Sequence, residues 1–387
     1  MRILVLGCGL QGRAALHDLA RSDEVKAVVV ADSRPDAVAR YVESLGSSKF
    51  SVVPLDASDA AQVRCVVGGE HDVVIDLLPR QFIGFVGEAA VDAGVHLVNT
   101  YYDYDLRPLS DAARSRGVTL LPECGMDPGI DLVLAAEAAR RLDEVHALIS
   151  YGAGFPEPSA ANNPLKYKIS WTFEGVLNSY YRSGCLIQNG QVVEVSADEM
   201  FAEHLVHILD VPGLGQLEAF PNGDAAYYAE KLGLRDQIRD MGRYTLRWPG
   251  HCRLWKALVD LGFLSDDPVP GLPAEVTPRR FLAALLEPQL QYAPHERDVA
   301  LLRVEARGLR DSRERRLVLQ VIDYRDLETG LFAMNRTVGY TASIVAQMIG
   351  RGEITEHGLL SPLYHVPYES FTAELARRGI TVTEEEQ

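Results

Sequence analysis

Hydrophobic residues near the N-terminus of this chain fall into short runs separated by segments of helical period. An apolar strand, Ile3-Leu4-Val5-Leu6, is followed by Gly7-Cys8-Gly9-Leu10-Gln11-Gly12 and then by a helical stretch over 13–20. A second strand over 25–31 ends at Asp32, and β-branched runs recur at 51–55, 72–77, 96–99 and 119–122 with helical segments between them. Strands alternating with helices predict a parallel sheet covered by helices, an α/β doubly wound fold of Rossmann type. Ligands of such sheets bind beyond the carboxyl ends of the strands. The residues to read are therefore Asp32, Asp56, Leu78-Pro79, Thr100-Tyr101 and the run from Glu123 to Asp127.

Beyond residue 131 the pattern changes. A helix is expected over 132–142, then longer mixed segments at 145–151, 190–195, 244–248, 299–306 and 316–323, which predict an antiparallel or mixed sheet with helices. Residues 197–209 read as an amphipathic helix, 266–273 as a Pro-rich surface connection, 337–349 as an apolar helix of small residues, and 373–387 as a charged helix-turn tail.

The glycine loop supplies the first chemistry. Between a strand and a helix, Gly7 permits the tight turn, Gly9 lets a pyrophosphate approach bare backbone, and Gly12 lets helix and strand pack closely. This context predicts a dinucleotide site that includes Leu10 and Gln11. Asp32, the twentieth residue after Gly12, can accept hydrogen bonds from a ribose 2′-hydroxyl and would repel a 2′-phosphate, which favours NAD over NADP. Ser33 lies beside it, and Arg34 could still serve a phosphate, so NADP stays open.

Composition narrows the partners. The 387 residues carry 38 basic against 54 acidic side chains, a formal charge of −16 that disfavours nucleic acid and anionic membrane surfaces. No apolar run approaches a membrane span, and the chain starts inside its first strand, so a cytoplasmic protein is expected. The five cysteines are scattered, as reduced thiols are. His204 and His207 with Glu203 lack a third ligand at a metal-binding spacing, so no metal is expected. Neither a nucleophile elbow nor a Cys-x-x-Cys pair supports a hydrolase or disulfide-exchange reading.

A second turn, Glu123-Cys-Gly-Met-Asp-Pro-Gly-Ile-Asp131, follows a buried strand and places three carboxylates at the predicted ligand edge. Helix capping by Asp127, with Pro128 at the first helical position, explains the same residues equally well. Tyr101, Tyr102 and Tyr104 follow another strand at this edge, where a phenol could exchange protons with a substrate or simply form an aromatic surface loop. Alternation puts Thr245 and Arg247 on one strand face, where Arg247 is either a bidentate carboxylate anchor or a solvated edge residue.

This second turn, with Asn163-Pro-Leu-Lys-Tyr-Lys-Ile-Ser-Trp171, Glu218-Ala-Phe-Pro-Asn-Gly-Asp224, Thr245-Leu-Arg247, Lys256 to Phe263, Glu296-Arg-Asp298 and Thr337-Val-Gly-Tyr340, resembles the glutamate-forming saccharopine dehydrogenase family in order and over nearly the whole chain. The resemblance implies a Rossmann domain over 1–131, an inserted α+β substrate and dimerisation domain over 132–330, and a segment over 331–387 returning to the Rossmann domain. It further implies a homodimer. Thr100 and Tyr101 match residues touching nicotinamide and substrate, Asp127 matches an acid contacting substrate, Ser170 matches a serine reaching the cofactor, and Asn222, Thr245, Leu246 and Arg247 match substrate contacts. Tyr101 or Asp127, with Glu123 in support, is expected to handle protons. Gly223 departs from an arginine that holds a second substrate carboxylate, for which Arg182 and Arg243 are candidates, Gly152 replaces a cysteine, and Asp32 replaces a basic pattern. The block 337–352 also resembles NAD-dependent lysine 6-dehydrogenases, which release ammonia instead of glutamate. Both chemistries lead to allysine. A nucleotide-binding sensor or structural protein without turnover is the alternative of another class.

Overall fold

The computed structural model describes residues 1–273 and 275–387. It divides into two compact units, one of Met1–Leu134 with Asn335–Thr381, the other of Ala135–Met334 with Val382–Gln387.

The first unit is built on β1 (Arg2–Leu6), β2 (Ala27–Asp32), β3 (Phe50–Pro54), β4 (Val73–Asp76), β5 (His96–Asn99) and β6 (Thr119–Leu121). Among the described residues they form a parallel sheet in the order β3-β2-β1-β4-β5-β6, extended by the short strand Gly358–Leu359. Ile3 to Leu6 and Val73 to Ile75 are fully buried, as a sheet covered on both faces requires. The order reverses between β1 and β4, where a crevice opens at the carboxyl ends of the strands. Two helices lock this unit from opposite ends of the sequence. Asp18, in the helix Leu10–Arg21, accepts hydrogen bonds from Ser343 and Gln347 of the helix Ala333–Gly350 and is gripped by Arg378 through two nitrogens at 2.5 and 3.0 Å.

The second unit carries β7 (Glu144–Pro156), β8 (Gly184–Gln188), β9 (Gln191–Val195), β10 (His207–Val211), β11 (Gly215–Pro221), β12 (Asp240–Arg247), β13 (Asp298–Arg310) and β14 (Arg313–Tyr324). The sheet runs β10-β11-β12-β7-β13-β14 and ends on the strand Val382–Glu386, with β8 and β9 joined at β12. All these pairings are antiparallel except β12 with β7. One cluster of Phe173, Tyr180, Phe201, Phe220 and Trp255 and another of Phe155, Leu217, Leu246 and Leu301 form its cores.

Two expectations are corrected. Residues 197–209 are not a helix: a single 3-10 turn at Glu203–Leu205 leads into β10, because pairing with β11 outweighs the local helical period. The tail is a helix only over Tyr368–Arg377, and its last residues pair with β14, so the C-terminal segment contributes to both units.

Candidate active site

The glycine loop of the first unit is shaped by its own backbone. Gly7 has φ +88°, and a Cβ placed there would lie 2.9 Å from the Leu77 carbonyl oxygen. A Cβ on Gly12 would come within 2.3 Å of the Gly7 carbonyl oxygen, whereas one on Gly9 would meet nothing within 4 Å. Two glycines are thus demanded by the turn, and the third leaves an open approach to backbone. The helix Leu10–Arg21 starts with no side-chain cap and no acidic residue in its first turn, so its N-terminal N–H groups suit an anion. A dinucleotide pyrophosphate fits this cradle.

Around it, the carboxyl ends of β2 to β5 carry the other expected contacts. Asp32 accepts the Cys8 N–H at 2.7 Å and the Arg34 N–H at 2.8 Å, with Ser33 and Arg34 exposed beside it. Asp56 is occupied differently: its carboxylate takes the Ser58 N–H and hydroxyl at 2.9 and 2.6 Å, closing the turn before the helix Ala60–Val67. Leu78 is buried, Pro79 is exposed, and the Leu78 N–H bonds to Asp76.

The loops after β5 and β6 are sewn together. Glu123 donates its N–H to the Tyr101 carbonyl at 2.8 Å, and Cys124 donates to the Asn99 carbonyl at 2.9 Å. Asn99 in turn accepts the Tyr101 N–H through its side chain. A Cβ on Gly125 would touch the Thr100 side chain at 3.4 Å, so the second turn lies against Thr100 and Tyr101 within the first unit. Glu123 is fully buried with φ +63°, a left-handed conformation that costs a non-glycine residue about 1–2 kcal/mol. Its neighbours' hydrogen bonds hold it there.

Asp127 is half-buried and precedes a cis bond to Pro128. The helix does not start at Pro128 as the capping reading required: it spans Ile130–Arg140, and Asp131 accepts the Gly129 N–H at 2.8 Å. A Cβ on Gly129 would overlap the Gly125 carbonyl at 2.0 Å, which is why the turn closes so tightly. Burial, followed by the nearby Asp76 carboxyl, raises the Tyr101 phenol above its ordinary range. Asp76 itself is pushed up to about 7 by burial.

In the second unit Arg247 is only 4% exposed, which rules out a solvated edge residue. Its Nε donates to the Tyr180 hydroxyl at 3.0 Å and its Nη1 to the Leu246 carbonyl at 2.8 Å. The guanidinium lies over the rings of Tyr167 and Tyr180, at 4.9 and 5.7 Å. His251 lies 2.9 Å from the Tyr180 hydroxyl, and burial, then the Arg247 charge, holds its imidazole neutral. No carboxylate among the described residues pairs with Arg247. A buried guanidinium without an anion is costly, and a ligand carboxylate would relieve that cost. Thr245 is half-buried on β12, whereas the Leu246 side chain points into the apolar cluster and only its carbonyl touches Arg247. Asn222 donates its N–H to the Arg243 carbonyl at 2.7 Å and accepts from the Arg182 guanidinium. Ser170 is fully buried in this second unit, whereas the glycine loop belongs to the first. His207 lies on β10 at 3.2 Å from the Tyr151 hydroxyl, and no metal-binding cluster occurs among the described residues.

Asp76, Asn99, Tyr180 and His251 were missed by sequence reasoning. The first two had a signal: each is a polar residue terminating an apolar strand at the ligand edge.

The cradle places the chain among nicotinamide-dinucleotide-binding α/β proteins. The description "Saccharopine dehydrogenase NADP binding domain" matches residues 3–121, and "Saccharopine dehydrogenase C-terminal domain" matches residues 125–380. The chain belongs to the saccharopine dehydrogenase family. It is 28% identical over 431 residues, 93% of each chain, to the NADP(+), L-glutamate-forming saccharopine dehydrogenase of Pyricularia oryzae. It is also 26% identical to the mitochondrial alpha-aminoadipic semialdehyde synthase of Bos taurus, covering 99% of this chain but 47% of that protein, so it spans about half of that relative. The apo saccharopine dehydrogenase (L-Glu forming) of Saccharomyces cerevisiae superposes with a TM-score of 0.89 at 25% identity, covering 100% of this chain and 99% of that one.

Proposed function

We propose that this protein is an NAD(P)-dependent oxidoreductase that acts on the C–N bond of saccharopine and yields glutamate and allysine. The observation that carries the reading is Arg247, a buried guanidinium with no carboxylate partner among the described residues, in a chain similar over 93% of its length to a saccharopine dehydrogenase. The substrate is a small amino acid whose carboxylate Arg247 anchors, with Thr245 and the Leu246 carbonyl fixing the strand around it. Gly7, Gly9, Gly12 and the N–H groups at Leu10 and Gln11 would hold the dinucleotide's phosphates, Asp32 its ribose, and Leu78, Pro79 and Thr100 the nicotinamide half. Bound nicotinamide supplies the acceptor for the hydride leaving the lysine C6.

The chain's own groups handle protons and water. The secondary amine gives up a proton and C6 its hydride, leaving a C=N bond. Water then adds to that carbon, the C–N bond breaks, and glutamate leaves with its amine. Asp127 accepts the amine proton and later activates the water, while the Tyr101 phenol, raised by burial and so protonated, can only donate a proton or hydrogen bond, with buried Glu123 holding the Tyr101 loop through its N–H. Arg182, fixed on Asn222, supports a substrate with a second carboxylate and so favours saccharopine over lysine. A cytoplasmic location is part of the proposal, in keeping with the scattered spacing of the five cysteines. A homodimer is the assembly the family resemblance implies, and light scattering tests it.

The purified protein is incubated with saccharopine or with lysine, each with NAD and with NADP, and reduced nicotinamide and released glutamate or ammonia are measured. Glutamate formed in step with reduced nicotinamide from saccharopine alone is the expected result. Ammonia from lysine would assign the lysine 6-dehydrogenase reaction, and tight nucleotide binding without turnover of either would favour a sensor.

A further inference from the structure

We propose that Asp32 makes this chain select NAD over NADP, and that the same carboxylate braces the glycine loop, so that cofactor choice and loop geometry reside in one side chain. Three hydrogen bonds tie the end of β2 to its surroundings. The Gly7 N–H bonds to the Ala31 carbonyl at 2.9 Å, the Cys8 N–H to one Asp32 oxygen at 2.7 Å, and the Arg34 N–H to the other at 2.8 Å. The carboxylate is therefore held at both oxygens by backbone and cannot swing away from an incoming ribose. Each oxygen still has acceptor capacity left for a hydroxyl. A 2′-phosphate would bring about −1.5 to −2 charges against this fixed anion, whereas ribose hydroxyls would donate to it.

The cations nearby do not cancel this arrangement. Arg13 lies over the Tyr41 ring at 5.2 Å, and the Tyr41 hydroxyl donates to the Arg13 carbonyl at 2.8 Å. Arg34 is exposed, and it is the cation nearest along the chain that could serve a phosphate. Exposed, it interacts through solvent and is screened, while the Asp32 carboxylate is half-buried and fixed. The selectivity proposed here differs from the NADP named in the matching domain description and in the fungal relative. It rests on the dinucleotide part of the proposed function and not on the substrate.

The brace has a second consequence. In Asp32→Asn the amide keeps one acceptor oxygen, so either the Cys8 or the Arg34 N–H loses its partner, and the variant loses affinity for both nucleotides instead of simply switching. The test titrates the intact protein, without amino-acid substrate, with NADH and with NADPH by calorimetry. NADH should bind at least about tenfold more tightly. Asp32→Asn should weaken NADH by about tenfold or more and bring the two affinities close together, while Arg34→Ala should leave the NADH preference in place. Equal or tighter NADPH binding by the unaltered protein overturns the proposal, as does an unchanged affinity ratio in Asp32→Asn. Should that variant fail to fold by circular dichroism, Asp32→Ser, which keeps a hydroxyl acceptor, takes its place under the same criteria. Failure to bind either nucleotide sinks the dinucleotide reading as well. Tight, selective NADH binding without saccharopine turnover would leave this proposal standing and remove only the substrate.

Discussion

At the scale of single residues, the side chains that matter are those whose burial disagrees with their chemistry. Alternation along β12 was enough to put Arg247 on a face with Thr245, but not to show it buried. Its surroundings come from Tyr180, 67 residues earlier in the chain, and no local pattern reports such a partner. Arg247→Lys should raise KM for the amino-acid substrate by about 30- to 300-fold, because an ammonium loses the planar fork and the stacking on Tyr167 and Tyr180. NADH affinity should be unchanged, which calorimetry checks. Asp127 makes a different prediction, since a proton-handling group acts on turnover: Asp127→Asn should lower kcat by about 10²- to 10⁴-fold with little change in KM. Steady-state rates across pH decide it, and full turnover with an unaltered pH profile would overturn the role of Asp127. The sequence made the carboxylates of the second turn visible, yet capping described them equally well. The helix start at Ile130 removes a helix beginning at Pro128 and leaves the chemical role of Asp127 to the kinetic test.

At the scale of elements, legibility follows how local each cause is. The glycine loop was readable because its spacing is local, a Cβ on Gly12 striking the Gly7 carbonyl, although the close approach of Leu77 to Gly7 comes from far along the chain. The segment 197–209 was misread because the cause lies outside it, in the pairing of His207 with Ala219 on the next strand. The helix Ala333–Gly350 lies between these extremes. Its small-residue pattern was plain, but not its partner: a Cβ on Gly339 would sit 2.4 Å from the Gln11 carbonyl and 2.7 Å from Ala14 Cβ. That helix therefore supports the one that opens at the dinucleotide cradle. Arg378 and Asp18 clamp the same assembly with both side chains largely buried. Arg378→Ala strands the Asp18 carboxylate and should cost about 3–5 kcal/mol of stability, read from urea unfolding. Arg378→Lys should recover only part of the loss, since an ammonium cannot reproduce the two-nitrogen grip.

At the scale of the whole molecule, two buried acids set how stability responds to pH. Burial pushes Asp76 from an ordinary value of 3.8 up to about 7 and Asp298 up to about 6. Between about pH 4 and pH 7 the folded chain therefore holds protons that the unfolded chain has released, so stability falls as pH rises through this window. On the acid side the sign reverses. Glu296, Glu305 and Glu374 are held below their ordinary range, burial opposing and their Lys168, Arg303, Arg316 and Arg378 partners prevailing, and their contribution is lost as pH falls through their folded values. The two effects bracket an optimum in mildly acid solution. Asp76 carries the largest share of the upper limb: a displacement from 3.8 to about 7 corresponds to about 4 kcal/mol. Asp76→Asn keeps an oxygen that can accept the Leu78 N–H, as Asp76 does at 3.1 Å, and removes the buried charge. It should raise the melting temperature at pH 8 and change it far less at pH 4, so that its dependence on pH flattens between about pH 4 and pH 7. Scanning calorimetry of both proteins at the two pH values reads this directly. An equal shift at both would mean that the substitution acts through packing and that the Asp76 charge does not govern the fall in stability between about pH 4 and pH 7.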